Sequence, residues 1–208
     1  MIMLASITIA CCTLSLLCLI ALHVSSPEFQ PSWRMVSEYA LGKHKWLLTT
    51  FFVLWALGSF TLSILLWVQA TTTAAKIGVA LLFVSSLGGL MGGLFDVKSR
   101  LHGMAAMLGV PTLPVAALLI AYNLGNADSF VVLVAHATWV SLLCMAISMI
   151  IMMNGFKKAG VPMGPDAAVP ERLPDGVVAL AGYANRLLIV CNMGWLIAMA
   201  VHFINLNH

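Results

Sequence analysis

Charge is what this sequence has least of: of 208 residues only ten are Lys or Arg and seven Asp or Glu. With 62% hydrophobic residues in a 22.3 kDa chain, too little polar surface exists to keep a folded globule in water. A formal charge of +3 assembled from so few groups says little about nucleic acid; where the charges sit matters more. HExxH, GxSxG and CxxC are all missing, so no zinc-protease, nucleophile-elbow or dithiol motif is present. The CxxCH string that attaches haem covalently is missing too. The five cysteines, Cys11, Cys12, Cys18, Cys144 and Cys191, lie inside apolar runs without paired spacing and read as small packing residues. No polar block is long enough to fold alone and no internal repeat stands out, which argues for one domain over 1–208 and against an inverted-repeat transporter.

Long apolar runs are what the sequence does have. A helix needs roughly 20 apolar residues to cross a hydrocarbon core of about 30 Å, and only helices or closed barrels satisfy their backbone there. Six such runs are present, at 2–24, 46–69, 77–95, 103–123, 129–153 and 177–204. The expected fold is all-α, a polytopic transmembrane bundle of six helices with short loops. The first run is expected to be a retained helix, since no Lys or Arg precedes it and small-residue cleavage signals are weak.

Arg34, Lys43 and Lys45 fall in the first connection, Lys98 and Arg100 in the third, and Lys157, Lys158 and Arg172 in the fifth; the second has only Lys76 and the fourth none. Short cytoplasmic loops retain Lys and Arg, so the odd connections should face the cytoplasm of a bacterial inner membrane, with both termini outside. The longest connection, 154–176, carries Pro162, Pro165, Pro170 and Pro174 with Gly155, Gly160 and Gly164, and predicts an irregular cytoplasmic loop.

Gly88, Gly89, Gly92 and Gly93 form overlapping small-xxx-small pairs, suited first to close packing within the bundle and second to a dimer interface. Pro111 and Pro114 should kink or open the fourth helix. Trp33, Trp46 and Trp67 near helix ends suit interfacial anchoring, and Met145, Met149, Met152 and Met153 form a packing stripe.

Ionisable groups concentrate in three strings: SEYALGKHKW with Glu38, Tyr39 and His44, GLFDVKSRLHG with Asp96, Arg100 and His102, and GYANR with Tyr183, Asn185 and Arg186. A six-residue turn between Asp96 and His102 can bring carboxylate and imidazole to one pocket, where the pair can do acid–base work or hold a divalent metal; solvated interfacial residues are an equal alternative. Arg186, about nine residues into the last run, needs a partner or water, and Asp96 and Glu38 are the available counter-ions. Alternatively 176–185 lies along the interface, the span starts at Leu187, and Arg186 snorkels.

The Ser37-Glu38-Tyr39-Ala40-Leu41-Gly42 string, the Gly93-Leu94-Phe95-Asp96 helix end followed by His102-Gly103, and Arg186 early in the last helix resemble the bacterial and archaeal six-helix membrane proteins grouped as domain-of-unknown-function family nine-nine-eight. The resemblance implies a six-helix fold with a polar cytoplasmic cluster and supplies no reaction.

Three function classes follow. The first is binding or modification of an amphipathic lipid-like molecule, with Arg100, Arg186 and Lys98 holding phosphate or carboxylate, Tyr39 and Asn185 beside them, and Asp96, His102 and Glu38 as candidate catalytic groups. The second is haem-bound electron transfer: His23, His44 and His102 lie toward the inner face, His136 and His202 toward the outer, and the last two are the plausible axial pair. The third is a non-catalytic membrane subunit or small transporter. Membrane lipids are the expected partners, with a homo-oligomer or larger membrane complex open to any of the three, and no nucleic acid.

Overall fold

The computed structural model describes residues 1–97, 99–125, 127–162 and 170–206. Its helices are α1 (Ile2–Ser25), α2 (Lys45–Gln69), α3 (Thr73–Leu94), α4 (Arg100–Gly109), α5 (Thr112–Asn123), α6 (Ser129–Lys158) and α7 (Ala181–Asn205), with a 3-10 turn over Val36–Leu41. Among the described residues there is no strand. With α4 and α5 taken as one interrupted crossing, six segments are long and apolar enough to span a bilayer. The chain is an all-helical, multi-pass membrane protein.

The helices close a ring in sequence order: α1 packs on α2, α2 on α3, α3 on α5, α5 on α6, α6 on α7, and α7 returns to α1. Because lipid solvates apolar side chains as well as protein does, these helices are apolar on all sides, and enclosure rather than amphipathicity tells them apart. Within its most apolar stretch α7 is 61% buried against 22% for α6, so α7 is the enclosed helix and α6 the peripheral one.

The fourth crossing breaks at Val110 and Pro111. Proline has no N–H to continue the ladder, and Pro114 sits in the first turn of α5, where an N–H would lack an intrahelical acceptor. Ser85 Oγ donates to the freed Gly109 carbonyl at 3.0 Å and Thr112 Oγ1 to that of Leu108. The expected opening is therefore present, and it is closed by hydroxyls. A Cβ on Gly88 would stand 2.3 Å from Gly109 N, so α3 meets the break backbone to backbone, while Gly92 and Gly93 receive Phe52 of α2. The glycine pairs serve packing inside the bundle.

Several helix ends differ from the expected ones. α3 starts at Thr73 rather than 77, because Thr72 Oγ1 accepts from Ala75 N at 3.1 Å and caps it. α6 runs on to Lys158 and takes in the start of the segment expected to be an irregular loop; Gly160, at φ +74°, lies just past its end. Of that segment, Gly164 and Pro165 lie outside the described residues. Trp33 is not an interfacial anchor: 2% exposed, it fills a small core with Met152, Phe156, Ala179 and Ala181, its ring edge-on to Phe156 at 6.2 Å. Trp46 and Trp67 stay exposed at helix ends.

At the opposite end Asp128 caps α6, accepting from Val131 N at 2.8 Å and lying 3.2 Å from His202 Nδ1. The Val131 N–H, and after it His202, hold the Asp128 carboxyl below its ordinary value of 3.8. A depressed folded value means stability that is complete above the ordinary value and lost as pH falls through the depressed one.

Two outcomes test this packing. Gly88→Val forces backbone apart and should cost about 1–3 kcal/mol, read as a lowered melting temperature in detergent. Asp128→Ala should cost about 1 kcal/mol near neutral pH, and its difference from wild type should shrink as the melts are taken below about pH 4. A pH-independent difference would show that the carboxylate charge contributes nothing.

Candidate functional site: a guanidinium corner at the basic end

The segment from Ser26 to His44, between α1 and α2, folds back over the start of α7. A helix leaves its first N–H groups without intrahelical acceptors. Here the Ser32 carbonyl accepts from Gly182 N at 3.0 Å and Tyr183 N at 3.3 Å, so the returning chain caps α7. Gly182 makes the approach possible, since a Cβ there would meet Pro31 O at 2.4 Å and Trp33 N at 2.7 Å. The next turn carries Arg186, the sixth residue of α7. It is neither deep in the span nor ahead of it, because α7 starts at Ala181 rather than 177 or 187.

The half-buried Arg186 guanidinium donates from Nε to His23 Nε2 at 2.5 Å and from Nη1 to Arg34 O at 2.7 Å and Gly182 O at 2.9 Å. Nη2 reaches the Tyr39 hydroxyl at 3.3 Å, and the guanidinium carbon lies 5.9 Å from the centre of that ring. Every one of these acceptors is neutral. His23 Nδ1 lies 2.6 Å from Leu19 O, and a carbonyl only accepts. We therefore assign the ring proton to Nδ1, which leaves Nε2 a lone pair for Arg186.

Glu38 is not the counter-ion of Arg186. It binds Arg34, with Nη1 to Oε2 at 2.6 Å, and its Oε1 accepts from Met35 N at 3.0 Å, capping the 3-10 turn. Arg34 also gives Nη2 to Pro170 O at 2.8 Å and lies 4.3 Å over the Trp33 ring, while its buried Nε has no acceptor among the described residues. Asn185 holds the same turn, accepting from Val36 N at 3.0 Å, and donates to Met145 Sδ at 3.6 Å. Tyr39 is 1% exposed and rests on Phe29 at 4.9 Å between ring centres. Tyr183 is exposed.

The other candidates form a second group along the third connection. Asp96 is ion-paired with Lys45 at 3.3 Å, and His102 turns Nδ1 to Phe95 O at 3.0 Å rather than to the carboxylate. Arg100 is exposed at the start of α4, where Ser99 caps the helix, and Lys98 lies outside the described residues. The structure thus joins Tyr39, Asn185 and Arg186, with Glu38 attached through Arg34, and gives Asp96 and His102 separate partners. Among the described residues no three His, Cys, Asp or Glu side chains gather as a metal-ligand set.

The expected axial pair is also engaged elsewhere. His136 holds Tyr122 OH at 2.7 Å on Nε2 and accepts from Trp139 Nε1 at 2.9 Å on Nδ1, whereas His202 faces Asp128. Sequence reasoning missed His23 and Arg34 as members of the corner. The i, i+4 spacing of Arg34 and Glu38 was the available signal; nothing in the sequence relates His23 to Arg186.

Six apolar crossings with an ionic corner at one end define a polytopic helical membrane protein. The model of DUF998, a family of proteins of unknown function, matches residues 9–202, and the chain belongs to that family. No curated protein and no solved structure gives a significant match.

Replacing the guanidinium removes four hydrogen bonds at once. Arg186→Gln should cost on the order of 1.5–3 kcal/mol, and Tyr39→Phe about 1 kcal/mol or less, in detergent melts. Equal stability of Arg186→Gln and wild type would mean that the corner does not hold the segment from Ser26 to His44.

Proposed function

We propose that this protein binds an amphipathic, lipid-like molecule through an anionic headgroup seated at the basic end of the bundle. One observation carries the reading: of the two guanidiniums at this corner Glu38 pairs with Arg34 alone, Arg186 is held by neutral acceptors, and the Arg34 Nε–H has no acceptor among the described residues. A cation held by neutral acceptors keeps its field, and guanidinium matches phosphate or carboxylate with two parallel N–H groups. Lys43 and Arg100 add positive potential along the same end.

By the retention of basic residues inside, that end faces the cytoplasm and both termini lie outside, as in a bacterial inner-membrane protein. Binding is better supported than turnover, because Asp96 and His102 are each engaged with other partners.

Native mass spectrometry of protein reconstituted with equal phosphatidylglycerol and phosphatidylcholine tests the reading. Wild type should retain the anionic lipid preferentially, and Arg34→Gln should lower the number of phosphatidylglycerol molecules retained per protein by one, with helicity unchanged by circular dichroism. Equal retention of the two lipids by wild type refutes it.

A further inference from the structure

At the opposite end of the bundle the lipid-facing seam between α2 and α3 opens into a groove of about 510 Å³, lined by Ser63, Ile64, Trp67 and Val68 of α2 and by Val79, Ala80, Phe83 and Val84 of α3. Ser63 Oγ donates to Ser59 O of its own helix at 2.8 Å, and the one other polar group on a lining side chain is the indole N–H of Trp67. The walls of the groove are otherwise hydrocarbon. Trp67 and Phe83 are 55% and 40% exposed, so the walls stand in contact with the bilayer.

Lys76 is placed directly above it. It precedes Val79, Ala80 and Phe83 by three, four and seven residues, the spacing of one helix face, and α3 starts only at Thr73, so Lys76 is at the membrane boundary. From there to Val84 the helix rises about 12 Å, most of the ~15 Å half-thickness of the hydrocarbon core. Helical side chains lean toward the N-terminus, which carries the ammonium outward to headgroup level.

The charge there calls for an anion. Lys76, expected in the second connection and placed inside α3 by the structure, is the one Lys or Arg at this end of the bundle, and it is exposed without an ion pair among the described residues. It also stands in the first turn of α3, where the helix macrodipole already favours negative charge and where no acidic side chain is present. Trp67 on the facing helix supplies an amphipathic indole beside the mouth of the groove.

We infer that this groove is a binding site for one acyl chain of an anionic phospholipid, whose phosphate pairs with Lys76 at the N-terminal end of α3. The site is independent of the guanidinium corner, from which it is separated by the thickness of the bundle.

The test uses full-length protein in vesicles of phosphatidylcholine containing a trace of phosphatidylglycerol with a photoreactive group on one acyl chain; cross-linked peptides are mapped by mass spectrometry. Labelling should concentrate at 63–68 and 79–84, and unlabelled phosphatidylglycerol should compete at least fivefold better than added phosphatidylcholine. Lys76→Gln should erase that headgroup preference while leaving the fold intact by melting temperature. Ala80→Phe should lower labelling of the groove in a protein that keeps Lys76. Arg34→Gln should change neither result, which separates this site from the one at the basic end. Labelling spread evenly over the lipid-facing sides of α2, α3 and α6, or equal competition by the two lipids, means annular lipid only and overturns the inference.

Discussion

A cation without a carboxylate partner among the described residues holds the basic end together. Arg186 is fixed by two backbone carbonyls, an imidazole lone pair and a phenol, drawn from α1, from the segment that follows it and from α7 itself. Each acceptor alone contributes a hydrogen bond to a charged group, about 1.5–3 kcal/mol if fully formed. Together they tie the returning chain to the one helix that the others enclose. The closeness of that approach depends on Gly182, which leaves room for Pro31 and Trp33, and on Ser32, whose carbonyl takes up the N–H groups at the start of α7. Capping, packing and charge binding are one structure at this corner, so a change to any of them is felt by the others.

A salt bridge at Arg186 would have been the simpler design, yet Glu38 is spent on Arg34 and on the cap of the 3-10 turn. Pairing a desolvated guanidinium with a carboxylate cancels its field; surrounding it with neutral acceptors satisfies its geometry and leaves the field in place. The corner is therefore stable by itself and still electropositive. That combination distinguishes it from a purely structural ion pair and is the reason a headgroup reading suits it.

Much of the fold was legible because lipid imposes a simple rule: the apolar runs had to be helices, and their number, order and approximate ends follow from length alone. The break at Pro111 and the packing use of Gly88 were legible for the same reason, since each rests on a local covalent property. The site was legible only in part. Glu38, Tyr39, Asn185 and Arg186 stood out as polar residues in an apolar chain, but their pairing depends on how α1 and α7 meet, which composition does not encode. Trp33 illustrates the limit, because a tryptophan at a helix boundary reads as an anchor whether it faces lipid or, as here, a core of Met152 and Phe156.

The α6–α7 contact was less legible still. Asn185 meets Met145 and His202 meets Asp128, and the spacing between these contacts is the same on both helices, which defines an antiparallel register. Asn185, Leu188, Asn192, Trp195, Met199 and His202 recur on α7 at alternating intervals of three and four residues, so one face carries them all. In that register Asn192 lies level with Thr138, whose hydroxyl already donates to Ala135 O at 2.7 Å. Both polar atoms of Asn192, and Trp195 Nε1 next along the stripe, are buried without a partner among the described residues. An amide placed so in an apolar span is costly, and an internal water is the usual way such groups are satisfied. The enclosed helix thus carries polar groups at its start, middle and end, which sets it apart from α5, whose buried face is built of Leu113, Pro114, Ala116, Ala117, Ile120 and Ala121.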